Sequence, residues 1–595
     1  MITPMKKVTV LCVESARGET VEALRALGVL HVVHGAASAG AASSATAETI
    51  ERVEKARRIL AETADPQSAK RADGNRRPST ARPEETLERV LALDAERETC
   101  AKRLTELRAE EEAQEAFGEF DPAQLRALAE RGAKVSLFRI PRKAATGPAW
   151  ESFVHGGAAV LAEGAGHVAG YALGALPEIA GLEAVPPPSR RLSEVRGDIA
   201  AAESKAAEVR EALAAAAPEA ASLAEYAESL EGTREFQRVG ESLAAHGAVS
   251  SLDGYVPAAK VAALESAARD HGWALWVRDP APDEKPPVQL TLPRWLRPVT
   301  VLFEGLGILP GYREVDASSV FLAFFSLFFA MILGDAGYGA LMLLTVLLLR
   351  RKFPKANAKP FWLFGLFAVA TIVWGGLTGA WFGIASEHLP RLLRGIPWLK
   401  EQSNIMWLCF LIGAIHLTIA NLWNAAVLWP DTKAFAQVGW AMMNWTMFFV
   451  AGNLVTGSTL PGIAIWMGVV GIVLIVVFML HRDEIKKEFI NYPMLALNLM
   501  SALVDVMSYI RLFAVGMASA MIAQNFNDMA LGLSLPTWAK PIPVLLVLLL
   551  GHGINLVLGA LSILVHAVRL NTLEFSNHVG LTWSGEAYRP FAERR

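Results

Sequence analysis

Arg511 is the residue whose chemistry is hardest to explain away, because it sits deep inside an apolar run from Pro493 to about Ala530. An ionised guanidinium at bilayer depth costs about 3 kcal/mol on insertion scales and more than 10 in simulations, and its pKa above 12 rules out escape by deprotonation. It needs a carboxylate or water to face. Asp505, on the same predicted helix, lies six residues back and about 120° away on the helical wheel. The next apolar run offers no Asp or Glu before Glu574, so the counter-charge is expected from elsewhere, another protein chain included. The plainer alternative is an arginine that pins two helices or snorkels, although both ends of the run are distant.

Further polar residues line up around it. His552, Asn555, Gly559, Ser562, His566 and Arg569 recur at steps of three and four, which places five polar groups and one glycine on a single face of the last apolar helix. Such a face forms either the wall of an aqueous ion path or a stripe of interhelical hydrogen bonds. Asn498, Ser501, Asp505 and Ser508 make a second stripe below Arg511, with Gln524, Asn525, Asn527 and Asp528 above it. No catalytic bond-making residue, no cofactor and no metal is expected. The chain contains no Gly-x-x-x-x-Gly-Lys-Ser/Thr loop, and Cys12, Cys100 and Cys409 are odd in number and without paired spacing.

Stepping outward to the elements that carry these residues, the 595-residue chain is 53% apolar and 19% charged, an average over two unlike halves. Residues 1 to 300 are rich in Ala, Glu and Arg, and residues 317 to 574 are apolar runs broken by short polar loops. A net charge of −3 argues against a nucleic-acid partner. The amino terminus lacks a charged-then-apolar signal, so the first half is expected in the cytoplasm.

Within the first half, Lys6–Val13, helix 20–26 and Val29–Val33 read as one side of a small α/β lobe, completed by Val249–Val256, helix 259–270 and Trp273–Val277. Residues 45–65 and 84–117, interrupted by a Pro/Arg/Gly-rich insert at 73–83, read as the outgoing limb of a coiled-coil arm, and 192–230 as the returning helix. A distal lobe sits around 134–174. The fold class expected is thus α+β for the cytoplasmic half, two small α/β lobes joined by an α-helical coiled-coil hairpin, followed by an all-α eight-helix transmembrane domain. A loose helical bundle is the alternative for the arm.

The apolar runs fall at about 317–333, 336–350, 360–384, 404–429, 434–456, 460–480, 493–530 and 540–574. The first two are short for a core of about 30 Å, and one long helix is the alternative reading. With eight spans and both termini inside, loops 350–359, 430–433 and 481–488 and the tail carry 5, 1, 3 and 3 Lys/Arg, against 3, 0 and 1 in outer loops 385–403, 457–459 and 531–541. The positive-inside rule favours that arrangement. The 493–530 run is about 57 Å long as a helix, so it must tilt heavily or break.

Ser508 to Gly516 (SYIRLFAVG) resembles the SY-x-RL-x-AL segment of the a/I subunit of V-type and A-type rotary ATPases. Ala560 to Glu574 (ALSILVHAVRLNTLE), Phe324 to Gly339 (FFSLFFAMILGDAGYG) and Gly311 to Asp316 match further family signatures in order, and Met5–Val10 and Ala26–Val32 resemble its amino terminus. Two positions depart from the pattern. Ala317 stands where most members carry proline. Gly559 stands where some eukaryotic members place a glutamate ten residues before the second arginine, which leaves His566 and Glu574 as substitutes.

The resemblance implies a membrane stator subunit that leaves nucleotide chemistry to other chains, forms ion half-channels against a rotor ring, and couples ATP hydrolysis or synthesis to proton or sodium translocation. Residues 1–300 would be a stator arm, 301–316 a linker, and 317–595 a transmembrane domain with a short cytoplasmic tail. The ion-path residues would be Arg511, Arg569, His566, Asn555, Ser562, Ser508, Asp505, Gln524 and Glu574. Implied partners are ring (proteolipid) subunits, peripheral-stalk subunits, the central-stalk socket subunit and the lipid bilayer, with the protein multi-pass in the cytoplasmic (inner) membrane. A stand-alone secondary ion transporter and a membrane-anchored coiled-coil scaffold are the rivals. Asp335 is expected to cap the turn of the first hairpin, and His416 to be a packed, hydrogen-bonded histidine.

Overall fold

The computed structural model describes residues 1–33, 41–63, 82–163, 166–385, 387–479, 491–536 and 538–593. The insert residues 73–81 and the inner loop 481–488 lie outside them. Two compact units form: Met1–Leu11, Leu27–Val33 and Leu252–Phe591 make one, and Cys12–Ala26, His34–Ser251 and Ala592–Arg595 the other. The described strands are β1 (Met5–Val13), β2 (His31–Val32), β3 (Val135–Pro141), β4 (Ala159–Glu163), β5 (His167–Leu173), β6 (Glu183–Val185), β7 (Ala244–His246), β8 (Val249–Pro257) and β9 (Ala274–Arg278).

In the second unit, helices Ala41–Thr63, Pro83–Glu115, Leu192–Ala216 and Ala220–Ser242 share a core of Val53, Leu60, Leu87, Val90, Val209, Leu213 and Leu223. Ion pairs Lys205–Glu96, Arg108–Glu203 and Arg196–Glu111 ascend one helix while descending the other, so Pro83–Glu115 and Leu192–Ala216 run antiparallel. Such exposed pairs contribute little individually, and the apolar core carries the stability. The predicted single helix 192–230 is two helices. Pro218, lacking an N–H, interrupts it at a 3₁₀ turn over Ala217–Glu219. The distal lobe gains two strands that its sequence did not reveal, in the order β4-β5-β3-β6.

The first unit contains the sheet path β2-β8-β1-β9 and all the apolar helices. Helices Ser318–Leu333 and Ala336–Lys352 meet at 119°, so this stretch is not one long helix. Asp335 makes the bend: its carboxylate accepts hydrogen bonds from the backbone N–H groups of Gly337, Tyr338, Phe382 and Gly383 at 2.7, 3.3, 2.8 and 3.1 Å. That is the capping role expected for it. Among the described residues four helices are long and apolar enough to cross a membrane: Ala358–Thr378, Gln402–Leu428, Met494–Leu531 and Pro541–Val579; the bent pair makes up to five. Lys433–Thr456 is a further helix, and Gly462–Phe478 a shorter apolar one.

After Val579 the chain turns at Gly580 (φ 82°) and runs back extended. Gly585 N–H donates to the Leu309 carbonyl, Tyr588 N–H to Val288 and Phe591 N–H to Leu30, at 3.0, 2.9 and 2.8 Å. Burial of the Tyr588 ring raises its phenol to about 12, and the hydroxyl donates to the Val29 carbonyl at 2.5 Å. At the same corner Tyr312 Oη accepts from Met5 N–H at 2.8 Å, and Glu314 accepts from Gly311 N–H at 2.7 Å and Thr582 N–H at 2.9 Å. The corner before Ala317 is thus tied by residues as far apart in sequence as Met5 and Thr582.

Candidate functional site

Two local irregularities create the site. The first lies before Arg511, where the long apolar helix breaks at Ser508–Tyr509 between Asn491–Met507 and Ile510–Leu531. The break leaves the Ser508 carbonyl short of its usual i+4 donor, and Arg511 supplies both its own N–H at 3.3 Å and its side-chain Nε at 2.9 Å. Tyr509, fully buried, is held there by His416, whose Nδ1 is 2.8 Å from the phenol oxygen. Gly413 allows this: a Cβ there would come within 2.6 Å of the Tyr509 ring. His416 itself stacks between Phe324 and Phe575, with ring centroids at 3.9 and 4.5 Å, as a packed, hydrogen-bonded histidine.

The second irregularity is in the last helix. Pro541–Ser562 continues into π-helical turns at Ile563–Ala567 and Leu570–Phe575. In a regular α-helix Glu574 would lie about 140° around from Arg569. The i→i+5 bonding of a π turn widens the helix and brings residue i+5 closer round the axis to residue i, and such turns gather at functional sites. Glu574 Oε1 therefore accepts from Arg569 Nε at 3.3 Å and from Arg511 Nη2 at 2.5 Å.

Within the chain itself Arg511 meets a carboxylate, Glu574, 63 residues away. Asp505 faces elsewhere, its carboxylate 3.2 Å from Nε2 of His578, whose Nδ1 is in turn 3.2 Å from Asn421 Nδ2. The small-residue cluster around Gly516 admits the chain's own helix, because a Cβ on Gly516 would come within 2.4 Å of the Met331 carbonyl oxygen.

The polar stripe on the last helix does not share one environment, because the π turns shift its register. Asn555 is 1% exposed and its Nδ2 donates to Tyr338 Oη and to the Ser519 carbonyl at 3.1 and 2.9 Å. His552 lies between Tyr338 Oη at 2.6 Å and Asn527 Oδ1 at 3.2 Å. Those two residues form interhelical hydrogen bonds, the alternative to a wet wall. Ser562 and His566 are half-buried, the Arg569 side chain is 55% exposed and Gln524 is exposed. Tyr338, Tyr509 and His578 are site neighbours that sequence periodicity missed, although the family-like segments 324–339 and 508–516 contain the two tyrosines; Asn527 belongs to the polar group read above Arg511.

This division has a direct test. In an otherwise cysteine-free chain, His566→Cys and Ser562→Cys should react with a water-soluble maleimide, whereas Asn555→Cys should stay unlabelled. Equal labelling at all three would overturn it.

Among the described residues no group of three or more His, Cys, Asp or Glu side chains is arranged to hold a metal ion. The arrangement instead offers charge: two guanidinium groups on one buried carboxylate beside an apolar helical layer.

No family model matches the chain. Among curated proteins, V-type ATP synthase subunit I 1 of Treponema pallidum is 32% identical over 557 residues, covering 86% of this chain and 87% of that one. V-type ATP synthase subunit I of Borreliella burgdorferi is 34% identical over 368 residues, covering 58% and 60%. A-type ATP synthase subunit I of Archaeoglobus fulgidus is 28% identical over 395 residues, covering 57% and 58%. A solved cytoplasmic N-terminal domain of subunit I, homolog of subunit a, of V-ATPase matches at 15% identity over 46% of this chain and all of that one, with a TM-score of 0.20 that carries no conclusion on the fold. The chain belongs to the subunit I family of V-type and A-type ATP synthases.

Proposed function

We propose that this chain is the membrane stator of a V/A-type rotary ATPase, forming ion half-channels against a rotor ring and anchoring the peripheral stalk. It couples ATP hydrolysis or synthesis elsewhere in the complex to proton or sodium translocation and performs no nucleotide chemistry itself. Arg511 carries this reading. Its side chain stays 22% exposed beside the broken helix, so it remains within reach of a carboxylate on a passing helix. An opposite charge within about 4–6 Å favours the ionised carboxylate, so each ring acid would release its ion on passing Arg511 and reload from the opposite half-channel.

Ser508, Asp505, Ser562, His566, Arg569 and Gln524 are the remaining path candidates, with Glu574 inside and Asn555 acting as a joint between helices. Residues 1–300 serve as the stator arm, 301–316 as linker and 317–595 as the transmembrane part. The eight-span arrangement with cytoplasmic termini gains support from the corner described above. Gly585 N–H donates to Leu309 at 3.0 Å, so residues before and after the apolar helices meet, as an even number of crossings would have it.

Affinity purification of the tagged chain from mild-detergent membranes tests the assignment. Ring and peripheral-stalk subunits should copurify with it; isolation of the chain alone, still active in ion transport, would favour a stand-alone transporter.

A further inference from the structure

Arg511 and Arg569 donate to the same oxygen, Glu574 Oε1, while Glu574 Oε2 is buried without a hydrogen-bond partner. The Glu574 side chain is 5% exposed, and the other acid close in sequence, Asp505, is engaged with His578. One carboxylate thus serves two cations, and the trio carries one net positive charge. That surplus matches one further carboxylate.

We propose that Glu574 is an exchangeable counter-ion that competes with the ring carboxylate for Arg511, while Arg569 retains Glu574 during the exchange. The inference rests on the stator reading above. An arginine in an apolar layer cannot shed its proton and is costly when unpaired. Between ring sites Glu574 holds it. When a ring carboxylate arrives, Arg511 passes from one carboxylate to another, and Glu574 keeps the partner at Arg569, whose exposed side chain has room to close on it. No bond is made or broken and no proton is consumed; the guanidinium changes acceptor. Without Glu574, Arg511 would hold each ring carboxylate until the next displaced it, and the ring would stick.

The test uses the whole complex in reconstituted vesicles, with subunit levels checked by immunoblot. Glu574→Gln should assemble and slow ATP-driven ion uptake by about tenfold, the effect of one pK unit of bias, with uptake per ATP unchanged. The double variant Arg569→Gln/Glu574→Gln restores the single net charge and should recover part of the lost rate, which a merely structural strut would not permit. Wild-type uptake by Glu574→Gln, or a double variant no faster than the single, would overturn the exchange. If Glu574→Gln fails to assemble, Glu574→Asp decides: slowed but coupled uptake supports the proposal, wild-type uptake sinks it. Arg511→Ala in the same vesicles separates the two levels. Normal pumping there would remove the stator reading itself, whereas a dead Arg511→Ala beside an unaffected Glu574→Gln removes the exchange alone.

Discussion

Arg511→Ala should cut coupled ion transport by about ten- to a thousandfold, while the subunit still reaches the membrane. The size follows from the one to three pK units by which an adjacent cation shifts a carboxylate, each unit being about tenfold. The substitution also leaves Glu574 with Arg569 alone, at 3.3 Å, and takes the side-chain donor from the Ser508 carbonyl. Arg511→Lys should fail nearly as completely. A compact ammonium lacks the planar fork that reaches Ser508 with Nε and Glu574 with Nη2 at once. Soluble-sector ATP hydrolysis persists if the rotor uncouples. Ion uptake into reconstituted vesicles, beside an immunoblot for assembly, makes the measurement; near-normal pumping by Arg511→Ala at normal subunit levels would reduce the arginine to a structural pin.

Gly516→Ala should destabilise the membrane unit by about 1–3 kcal/mol, the range for inserting a methyl group into a filled interface. The new Cβ would stand 2.4 Å from the Met331 carbonyl oxygen, an obstacle in the backbone of the facing helix that cannot rotate away. Gly553→Ala is the control: nothing lies within 4 Å of its added Cβ, so it should be neutral or slightly stabilising. Thermal unfolding of the detergent-solubilised subunit reads both. Equal melting temperatures for the two variants would contradict close helix contact at Gly516.

Apolar run length located the helices well, since Ser318–Leu333, Gln402–Leu428 and Gly462–Phe478 begin and end within about two residues of their runs. Asp335 and His416 were legible because a short acid after glycine at a helix start and a lone histidine in an apolar helix have few alternatives. The site itself was legible in membership more than in geometry. Periodicity assumes an unbroken 3.6-residue turn, and the π turns at 563–567 and 570–575 violate it, so one extrapolated face became a buried joint at Asn555 and an exposed Arg569. Nothing local marks those turns. The pairing of Arg511 with Glu574 depends on the same irregularity and on a loop between two helices, which no wheel can show. Strands β4 and β6 were missed for a different reason: each is short and exposed, with little alternation to betray it.

The extended segment after Gly580 also orders events in time. Its hydrogen bonds to Val288, Leu309 and Leu30 join residues up to 561 positions apart, counted from Leu30 to Phe591. A ribosome exposes residues 29–31 long before residues 585–591, which follow every apolar helix. The edge of the first lobe therefore stays open throughout synthesis and insertion of the membrane helices, and an unpaired strand edge is an adhesive surface. Closure of that edge can occur only after the final helix and the residues that follow it have been made. The lobe is in this way a lock whose key is cut only after every apolar helix, and a protein stalled before that point carries an open lock.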